Sequence, residues 1–439
     1  MEWNLVIFVN NNCVISILIN NYIMKKEKYS LKDFGLNLEV DVKERAEEFQ
    51  KYIDQLDENK HRPYLSEATD GIGSKMCVKD MYTSLPKNVI SFVANDYLGM
   101  SKRLETIEAG VEALRKYGTG ACAAPIIGGF LDIHRQLELS IADFVGQEDA
   151  MIFSSGFGTN QGVLSALMGS RDIALVDTYI HMSVLEGLKG TTVKRIGHND
   201  LEYLEMTLKR VQNSYITKMV IIDGVYSQDG DIALIPDILN LCRKYGAILL
   251  VDDAHGIGVY GENGRGVIEH YHLLGEIDII TGTFSKSFGT VGGFVAGSKK
   301  IIQYLKYYAN SSIFSAALSP QVTASVLESI SLIKRYPEIR KKLWNNVSYL
   351  KGKLIDSGFD IKETVSPIFP IMIRDDYKVK QVAAMLLQEG IYAVGICYPA
   401  VSKKDARIRA NVLATHEYDD LDMLVATLLK IDKVLKLRN

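Results

Sequence analysis

Short apolar runs alternate with amphipathic segments through the middle of the chain. From Ala150 onward the runs are AMIFSS, IALVD, KMVIIDGVYS, AILLVDDAH and IDIITGTFSK, and segments with helical spacing, such as LEYLEMTLKRVQ and IPDILNLCRKYG, lie between them. Continuously apolar strands separated by helices are typical of a mostly parallel sheet that is covered on both faces. The pattern therefore predicts an α/β fold whose large domain is built around such a sheet.

The pattern changes towards both ends of the chain. Residues 31–62 combine helical spacing with many charges, which predicts an exposed helical arm within residues 24–90. Beyond a long helical stretch, three strand-like runs are mixed with helices: SPIFPIMIR, IYAVGICYPAV and ARIRANVL. We therefore expect the large domain to cover residues 91–325 and a smaller C-terminal α+β domain to cover residues 326–439.

Residues 1–23 are apolar but are interrupted by asparagine clusters. Neither half approaches the roughly 20 apolar residues that a membrane-spanning helix needs. A basic segment and a small-residue cleavage site, which mark a signal peptide, are missing. We interpret this stretch as lying upstream of the true start at Met24, with a weakly membrane-associating leader as the alternative.

Charge and cysteine content narrow the class of protein. The 439 residues carry a formal net charge of −3, and no extended basic run offers support for nucleic-acid binding. The cysteines are scattered and never spaced as C-x-x-C, which argues against a disulfide framework or a zinc site. These features predict a cytoplasmic protein without a structural metal.

Lys286 stands in an unusual context, the segment TGTFSKSFGTVGGFVAG. Serines flank the lysine, phenylalanines lie just beyond them, and an apolar run precedes it. One interpretation is a loop lysine whose amine reaches water. The other is a lysine that partial desolvation keeps reactive, so that it forms an imine with a carbonyl cofactor.

Acidic residues end the neighbouring apolar runs, and one of these ends carries a histidine as well. The segment VDDAHGIGVYGENGRG places Asp252, Asp253 and His255 after a strand. Alone, this cluster is compatible with a divalent metal or with a capped strand end. With Lys286 at the end of the next strand, it matches the groups that pyridoxal phosphate (PLP) requires: an acid for the pyridine nitrogen, a partner for the phenolic oxygen and a lysine.

Two further segments suit the same cofactor. FSSGFGTN follows a strand and opens a helix, so the amides around Ser155, Gly156 and Phe157 are placed to bind a phosphate; a simple strand-to-helix turn is the alternative. In DTYIHMS, His181 follows a strand end, where its ring could stack on a cofactor or serve the fold alone.

At this point the chain resembles a known family, the α-oxoamine synthases among the fold-type I PLP-dependent transferases. The resemblance runs from Phe92 to Asp422, and its motifs occur in family order: NDYLG, GTGACAAPIIGGFLDIHRQLE, FSSGFGTNQG, DTYIHMSVLEG, VYSQDGDIALI, VDDAHGIGVYGENGRG, TGTFSKSFGTVGG, FSAALSP and ARIRANVLATH. The family fold is a large PLP-binding domain with a smaller C-terminal domain.

The resemblance implies a role for each candidate residue. Lys286 would bind PLP covalently and move the substrate Cα proton, Asp252 would pair with the pyridine nitrogen, and His181 would stack on the ring. The remaining implied contacts are Ser227 and His255 near the phenolic oxygen, Ser155, Gly156, Phe157 and Thr283 at the phosphate, Ser315 at the phosphate of a neighbouring subunit, and Asn95 and Arg409 at the amino-acid substrate. Arg407 shares a strand face with Arg409, and the family pattern alone favours the latter.

The implied reaction joins an amino acid to an acyl thioester, carried by coenzyme A or an acyl carrier protein, with loss of carbon dioxide. A homodimer is implied too. Pro125 and Phe130 stand where the family often has arginine and threonine, and Ala316 replaces a frequent hydroxyl. The motifs are most similar to long-chain, serine-using members. Members that make 8-amino-7-oxononanoate or act on glycine, and a silent regulatory subunit, are the alternatives.

Overall fold

The structure is a computed structural model that describes residues 40–62 and 64–438. Its strands are β1 (Lys75–Lys79), β2 (Pro86–Ser91), β3 (Asp149–Phe153), β4 (Ile173–Asp177), β5 (Thr192–Ile196), β6 (Lys218–Asp223), β7 (Ile248–Asp252), β8 (Ile279–Thr283), β9 (Gly293–Gly297), β10 (Ile368–Met372), β11 (Ile391–Tyr392), β12 (Val394–Ile396) and β13 (Arg407–Asn411). Its helices are α1 (Val42–Glu58), α2 (Leu104–Tyr117), α3 (Asp132–Val145), α4 (Gly156–Leu167), α5 (Met182–Gly187), α6 (Leu201–Val211), α7 (Ile235–Tyr245), α8 (Val267–His270), α9 (Lys299–Tyr308), α10 (Asn310–Ile313), α11 (Pro320–Arg335), α12 (Pro337–Asp356), α13 (Asp376–Gln388) and α14 (Tyr418–Leu435).

A seven-stranded sheet, ordered β3-β9-β8-β7-β6-β4-β5, forms the centre of the large domain. Strands β4 to β8 run parallel to one another, whereas β9 runs antiparallel to both β8 and β3. The predicted mostly parallel sheet is therefore confirmed. The register pairs Asp223 with Asp252 and Asp252 with Thr281, so the carboxyl ends of β6, β7 and β8 meet at one edge.

Both faces of this sheet are buried, which explains the continuously apolar runs. In β7, Leu249 and Val251 join one hydrophobic cluster while Leu250 joins a second cluster on the other side. Alternate side chains of a strand point to opposite faces of the sheet, so when both faces are buried every side chain in the middle of the strand is buried and apolar. Polar residues are then confined to strand ends, where the candidate site residues stand.

The expectation of a helical arm over residues 24–90 is correct only in part. Helix α1 lies within it, but β1 and β2 form an antiparallel pair, and β2 continues in parallel with β11 from the C-terminal part of the chain. Met76 and Val78 of β1 alternate inward with more exposed neighbours. This period of two was missed because the charged helical pattern before it dominated the segment.

The C-terminal part contains the three predicted strand runs. Strands β10, β13 and β12 form an antiparallel sheet in that order, and α12, α13 and α14 accompany it. The expected domain boundary after residue 325 falls inside α11, and the division into domains stays a prediction. Strand β13 brings its two arginines towards the large domain, where Arg407 and Arg409 contact the segment that follows β6.

No helix in the described residues combines the length and apolar character required to cross a membrane. The interpretation of residues 1–23 concerns a stretch outside the described residues.

Candidate active site

The Lys286 side chain lies in a cavity of about 260 Å³ at the carboxyl edge of the central sheet. Lys286 follows β8, and the neighbouring strands β7 and β6 end in Asp252 and Asp223. We call this space the lysine cavity. The predicted site residues that line it are Ser155, Gly156, Phe157, His181, Ser227, Asp252, His255, Thr283 and Lys286. The fold therefore brings together groups that the sequence places up to 131 residues apart, from Ser155 to Lys286.

The environment of Lys286 favours a reactive amine. Burial lowers the pKa of Lys286 to about 8; Asp252 opposes this shift, and the positive charge of Arg409 adds to it. A lysine with an ordinary pKa of about 10.4 is almost wholly protonated at neutral pH. With the lowered pKa, a sizeable neutral fraction is present and can act as a nucleophile or as a base.

A chain of hydrogen bonds connects Asp252 to His181. Asn160 Nδ2 donates to Asp252 Oδ2 at 2.6 Å and to Ser183 Oγ at 2.9 Å, and Ser183 Oγ lies 2.7 Å from His181 Nδ1. Burial lowers the pKa of His181, and Lys286 lowers it further against the opposing charge of Asp252. The imidazole is therefore favoured in its neutral form, and the chain fixes the orientation of its ring in the cavity.

His255, which lines the lysine cavity, forms a buried pair with Tyr97. His255 Nδ1 lies 2.8 Å from Tyr97 Oη. Burial lowers the pKa of His255 well below its usual value, and it raises the pKa of Tyr97 to about 12 although Arg409 opposes that rise. Both groups are neutral at physiological pH. Because Nδ1 is engaged by the tyrosine, Nε2 is the ring atom that remains for a ligand.

The start of α4 is surrounded by hydroxyl side chains, and its first residue, Gly156, packs closely against Thr283. Ser155 caps the helix, its Oγ accepting from the Gly158 amide at 2.9 Å, and Thr283 Oγ1 lies 2.9 Å from Ser285 Oγ. A Cβ on Gly156 would lie only 2.8 Å from Thr283 Oγ1, so glycine is required there. The free amides at the start of this 12-residue helix and the adjacent hydroxyls form a ready site for an anion.

The two arginines of β13 have different surroundings. Arg407 is 2% exposed and forms an ion pair with Asp229. Arg409 Nε donates to the Ser227 carbonyl at 2.8 Å, and its Nη2 donates to Asn95 Oδ1 at 3.3 Å. Burial lowers the pKa of Arg409. The charge of Arg407 is thus already neutralised, whereas neutral groups hold Arg409 and leave its charge for an anionic ligand.

Ser315 lies outside the lysine cavity. It lines a second space of about 230 Å³, which we call the apolar cavity after the large apolar side chains in its lining: Pro125, Ile126, Phe130, Met151, Phe153 and Leu318. Ser154 also lines this cavity, so the two cavities flank the start of α4. The role of Ser315 at the phosphate of a neighbouring subunit stays a prediction.

Asp253, which follows Asp252 directly, is enclosed by backbone. Its Oδ2 accepts from the Val267 amide at 2.8 Å, and a Cβ on Gly256 or Gly266 would come within 2.0 Å of its carboxylate. In the part of the chain that the structure describes, no group of three or more His, Cys, Asp or Glu side chains is arranged to hold a metal. The Asp-Asp-x-His cluster therefore divides into two cavity residues, Asp252 and His255, and one packing residue, Asp253.

Sequence reasoning missed several contributors to this site. Asn160, Ser183 and Tyr97 were not singled out, although each lies inside a quoted motif, because only their hydrogen bonds reveal a role. Asp223 was noted as a strand end and given no task. Its Oδ1 has no hydrogen-bond partner, and burial together with Asp252 raises its pKa well above the usual value, against the effect of Lys286.

Comparisons with known proteins agree with this geometry. A profile of the family described as aminotransferase class I and II matches residues 87–428. The chain is 42% identical over 352 residues to 8-amino-7-oxononanoate synthase of Petrotoga mobilis, covering 80% of this chain and 90% of that one. It is 40% identical over 349 residues to serine palmitoyltransferase of Sphingobacterium spiritivorum, covering 79% and 87%.

Solved structures extend the comparison. A serine palmitoyltransferase from S. paucimobilis with a bound PLP–myriocin adduct superposes with a TM-score of 0.85 at 29% identity, over 90% of this chain and all of that one. An 8-amino-7-oxononanoate synthase from Francisella tularensis superposes with a TM-score of 0.67 at 26% identity, over 79% and 98%. The chain belongs to the aminotransferase class I and II family and, within it, to the α-oxoamine synthases. It is a PLP-dependent acyltransferase with the fold-type I architecture.

The residues present fit PLP. Because Gly156 has no side chain, a space remains between its backbone and Thr283 that a Cβ at position 156 would fill. The amides at the start of α4 lie beside this space and are suited to binding a phosphate. Across the cavity, Asp252 supplies a buried carboxylate and Lys286 an amine of lowered pKa. These are the three groups that a pyridine ring with a phosphate and an aldehyde needs, and the same cavity holds all of them.

Proposed function

We propose that the protein condenses serine with a long-chain apolar acyl thioester. The carboxylate of the amino acid leaves as carbon dioxide, its Cα bonds to the acyl carbon, and the thiol departs, which leaves an α-amino ketone. The observation that carries the acyl part of this proposal is the apolar cavity beside the start of α4. The surroundings of Arg409 support binding of an amino-acid carboxylate, and the choice of serine rests on the similarity to serine palmitoyltransferases.

The residues of the lysine cavity are assigned as follows. Lys286 holds the cofactor and moves the proton at the substrate Cα, since its lowered pKa suits a base at neutral pH. Asp252 pairs with the pyridine nitrogen, and Asn160 fixes that carboxylate. When bound, PLP supplies an electron sink for the carbanion that proton removal creates. His181 would lie against the ring, and His255 and Ser227, which line the same cavity, would serve its phenolic oxygen.

Arg409 is proposed to bind the carboxylate of the amino acid. The guanidinium of Arg409 donates hydrogen bonds to two neutral groups, the Ser227 carbonyl and the Asn95 side chain. The guanidinium of Arg407 instead forms an ion pair with Asp229. An arginine fork matches a carboxylate with two parallel hydrogen bonds. Asn95 also accepts from Asn411 Nδ2 at 3.1 Å, which holds it in place beside the arginine.

The apolar cavity supports an acyl chain without a charged end. The side chains of Ile126 and Phe130 are 45% and 42% exposed at its rim. Its cation, Lys306, is 2.7 Å from the buried carboxylate of Glu138, so its charge is neutralised. A chain that ended in a carboxylate would find no unpaired cation among these described lining residues, whereas a hydrocarbon chain would bury apolar surface.

A second candidate is the synthesis of 8-amino-7-oxononanoate, favoured by the 42% identity to the Petrotoga mobilis enzyme. The product with that name carries a terminal carboxylate, so its acyl donor must be charged at the far end. The surroundings of Lys306 argue against that donor.

We also propose that the active form is a homodimer. Large apolar side chains near the apolar cavity are exposed, among them Ile127 at 77% and Phe314 at 83%. A contiguous exposed apolar surface typically marks a protein interface. A second copy of the chain would cover these residues and bring its Ser315 towards a phosphate site.

The proposal is tested with the purified protein, a panel of amino acids and a panel of thioesters. L-serine, L-alanine and glycine are each combined with three acyl thioesters: a palmitoyl thioester, the mono-thioester of a dicarboxylic acid and an acetyl thioester. Each thioester is supplied on coenzyme A and on an acyl carrier protein. Released thiol and carbon dioxide are measured, and the ketone is identified by mass spectrometry. Turnover with serine and palmitoyl thioester is expected to exceed the other pairs. Preference for alanine with the dicarboxylic donor would replace this proposal by the second candidate.

A further inference from the structure

His198 lies outside the lysine cavity and joins two segments that border it. Its Nδ1 is 3.1 Å from Asp177 Oδ1, at the end of β4, and its Nε2 is 2.7 Å from Asp231 Oδ2. The ring is stacked on Tyr179 with centroids 4.4 Å apart, and it meets Tyr226 edge-on at 4.4 Å. An imidazole that contacts a carboxylate through each nitrogen donates through both, so its protonated form is the one that satisfies both bonds.

Each of the two segments carries residues of the site. Asp177 stands four residues before His181, and its Oδ1 accepts from the Tyr179 amide at 2.7 Å. Asp231 closes a turn that begins at Tyr226, whose amide donates to the Asp231 carbonyl at 2.9 Å. Ser227, whose carbonyl holds Arg409, lies in that turn.

We propose that His198 is a positioning residue: as a cation it links Asp177 to Asp231, holds the 226–231 turn in place and so orients Arg409 for the amino-acid carboxylate. This inference rests on the function proposed for Arg409. His198 itself touches neither substrate nor cofactor, and its influence reaches them through the carbonyl of Ser227.

The electrostatics support a positive charge on His198 at neutral pH. Burial acts to lower its pKa, but the hydrogen bonds to Asp177 and Asp231 outweigh burial and raise the pKa to about 9. The other ionisable groups that face this cluster, through its two tyrosine rings, are Asp223, Asp229, Asp405 and Arg407. The link is therefore complete at neutral pH, and it is lost as pH rises through about 9.

The test compares His198→Gln, which removes the cation, with the wild-type holoenzyme. L-serine, L-alanine and glycine are titrated against the cofactor absorption spectrum at about pH 7 and about pH 10. Since Lys286 and the amino acid titrate in both proteins, the ratio of their dissociation constants isolates His198. We expect the variant to bind about tenfold more weakly at the lower pH, the low end for a lost charge-assisted hydrogen bond. The ratio is expected to fall towards one at the higher pH, where the wild-type histidine is neutral too.

Three further variants distinguish the loss of the charge on His198 from a general loss of the folded structure. Asp231→Asn keeps the histidine but lowers its pKa, so affinity for the amino acid is expected to fall at a lower pH than in the wild type. His198→Arg keeps a cation at about pH 10 and is expected to bind better there than His198→Gln. His270→Gln changes an exposed histidine at the end of α8 and serves as the matched control, with wild-type affinity expected.

Two outcomes overturn the inference. If the wild-type spectrum responds to the amino acids and His198→Gln binds them with unchanged affinity, the inference is wrong while the proposed function stands. The same holds if the ratio of the two dissociation constants does not change with pH. A wild-type spectrum that responds to none of the three amino acids overturns the proposed function, and the inference falls with it.

Discussion

The lysine cavity and the apolar cavity lie on either side of the same helix start and have similar volumes, about 260 and 230 Å³. Each contains a half-buried lysine. Lys286 has its pKa lowered to about 8 by burial, whereas Lys306 is paired with Glu138 at 2.7 Å. One cavity keeps its lysine partly in the neutral, reactive form, and the other pairs its lysine with a carboxylate and offers apolar surface.

This difference separates what defines the reaction from what selects the substrate. The lysine cavity holds the candidate residues that the family resemblance assigns to PLP, so it predicts a reaction class. The apolar cavity contains Pro125 and Phe130, where the sequence departs from the frequent family pattern, and departures of this kind are where a substrate preference is encoded. The following predictions test that division, from the largest effect to the smallest.

Replacing the two lysines gives the largest contrast. Lys286→Ala is expected to lose at least roughly a thousandfold in turnover, because both the covalent attachment and the base are removed. Lys306→Ala is expected to keep covalently bound cofactor and to change turnover by less than about tenfold. Borohydride reduction followed by mass spectrometry measures the attachment, and thiol release measures turnover. Wild-type turnover in Lys286→Ala would show that the lysine has been wrongly chosen.

The adjacent aspartates offer the next contrast. Asp252→Asn is expected to lower turnover about a hundredfold to a thousandfold, because a neutral amide cannot stabilise a protonated pyridine nitrogen. Asp253→Asn is expected to affect the free energy of unfolding instead, since this residue is enclosed by the Val267 amide and by glycines. Turnover and chemical denaturation are measured for both variants. Equal losses of turnover at the two positions would contradict the assignment.

These two aspartates also show how far the sequence can be taken. Apolar runs predicted strands β3, β4, β6, β7 and β8, and strand ends predicted where Asp252 and Lys286 would meet, because parallel strands end at one edge. Without the family resemblance, the sequence could not show which of Asp252 and Asp253 faces the cofactor and which is enclosed by backbone. Only the folded backbone brings the glycines around the second carboxylate.

The residues that were missed share a different reason. Asn160 touches Asp252 across 92 positions of sequence, and Tyr97 meets His255 across 158. Local periodicity carries no information on such pairs, since they depend on how separate elements pack. The pairing of β2 with β11 was missed for the same reason, since β11 comes from some 300 residues further on.

The arginines of β13 give a contrast of intermediate size. Arg409→Ala is expected to weaken amino-acid binding by about tenfold to a hundredfold, which corresponds to about 1.5–3 kcal/mol for a charge-assisted hydrogen bond. Thioester binding is expected to change little. Arg407→Ala removes one of the two cations paired with Asp229, the other being Lys362, and is expected to lower stability more than affinity. Spectral titration and thermal unfolding separate the two effects, and a larger affinity loss in Arg407→Ala would reverse the assignment.

Phe130→Arg tests the apolar cavity directly. The variant adds a cation where Lys306 already lies 5.7 Å from the Phe130 ring. A long hydrocarbon chain loses apolar contact, so its use is expected to fall by roughly tenfold, the effect of a pocket change of about 1–3 kcal/mol. A donor that ends in a carboxylate is expected to gain. Competition between the two thioesters gives the preference, with Phe130→Leu as the control that keeps the cavity apolar.

The smallest effect concerns the pH at which the protein without cofactor captures PLP. Only the neutral amine of Lys286 attacks an aldehyde, so the rate of capture is expected to rise with pH and to level off above about 8, the lowered pKa of this lysine. The Asp252 carboxylate raises that pKa and Arg409 lowers it. Asp252→Asn should therefore move the midpoint to lower pH and Arg409→Ala to higher pH, each by less than about one unit. Stopped-flow absorbance of the bound cofactor reports the rate. The absence of a shift in both variants would mean that burial alone, without these two opposing charges, sets the reactivity of Lys286.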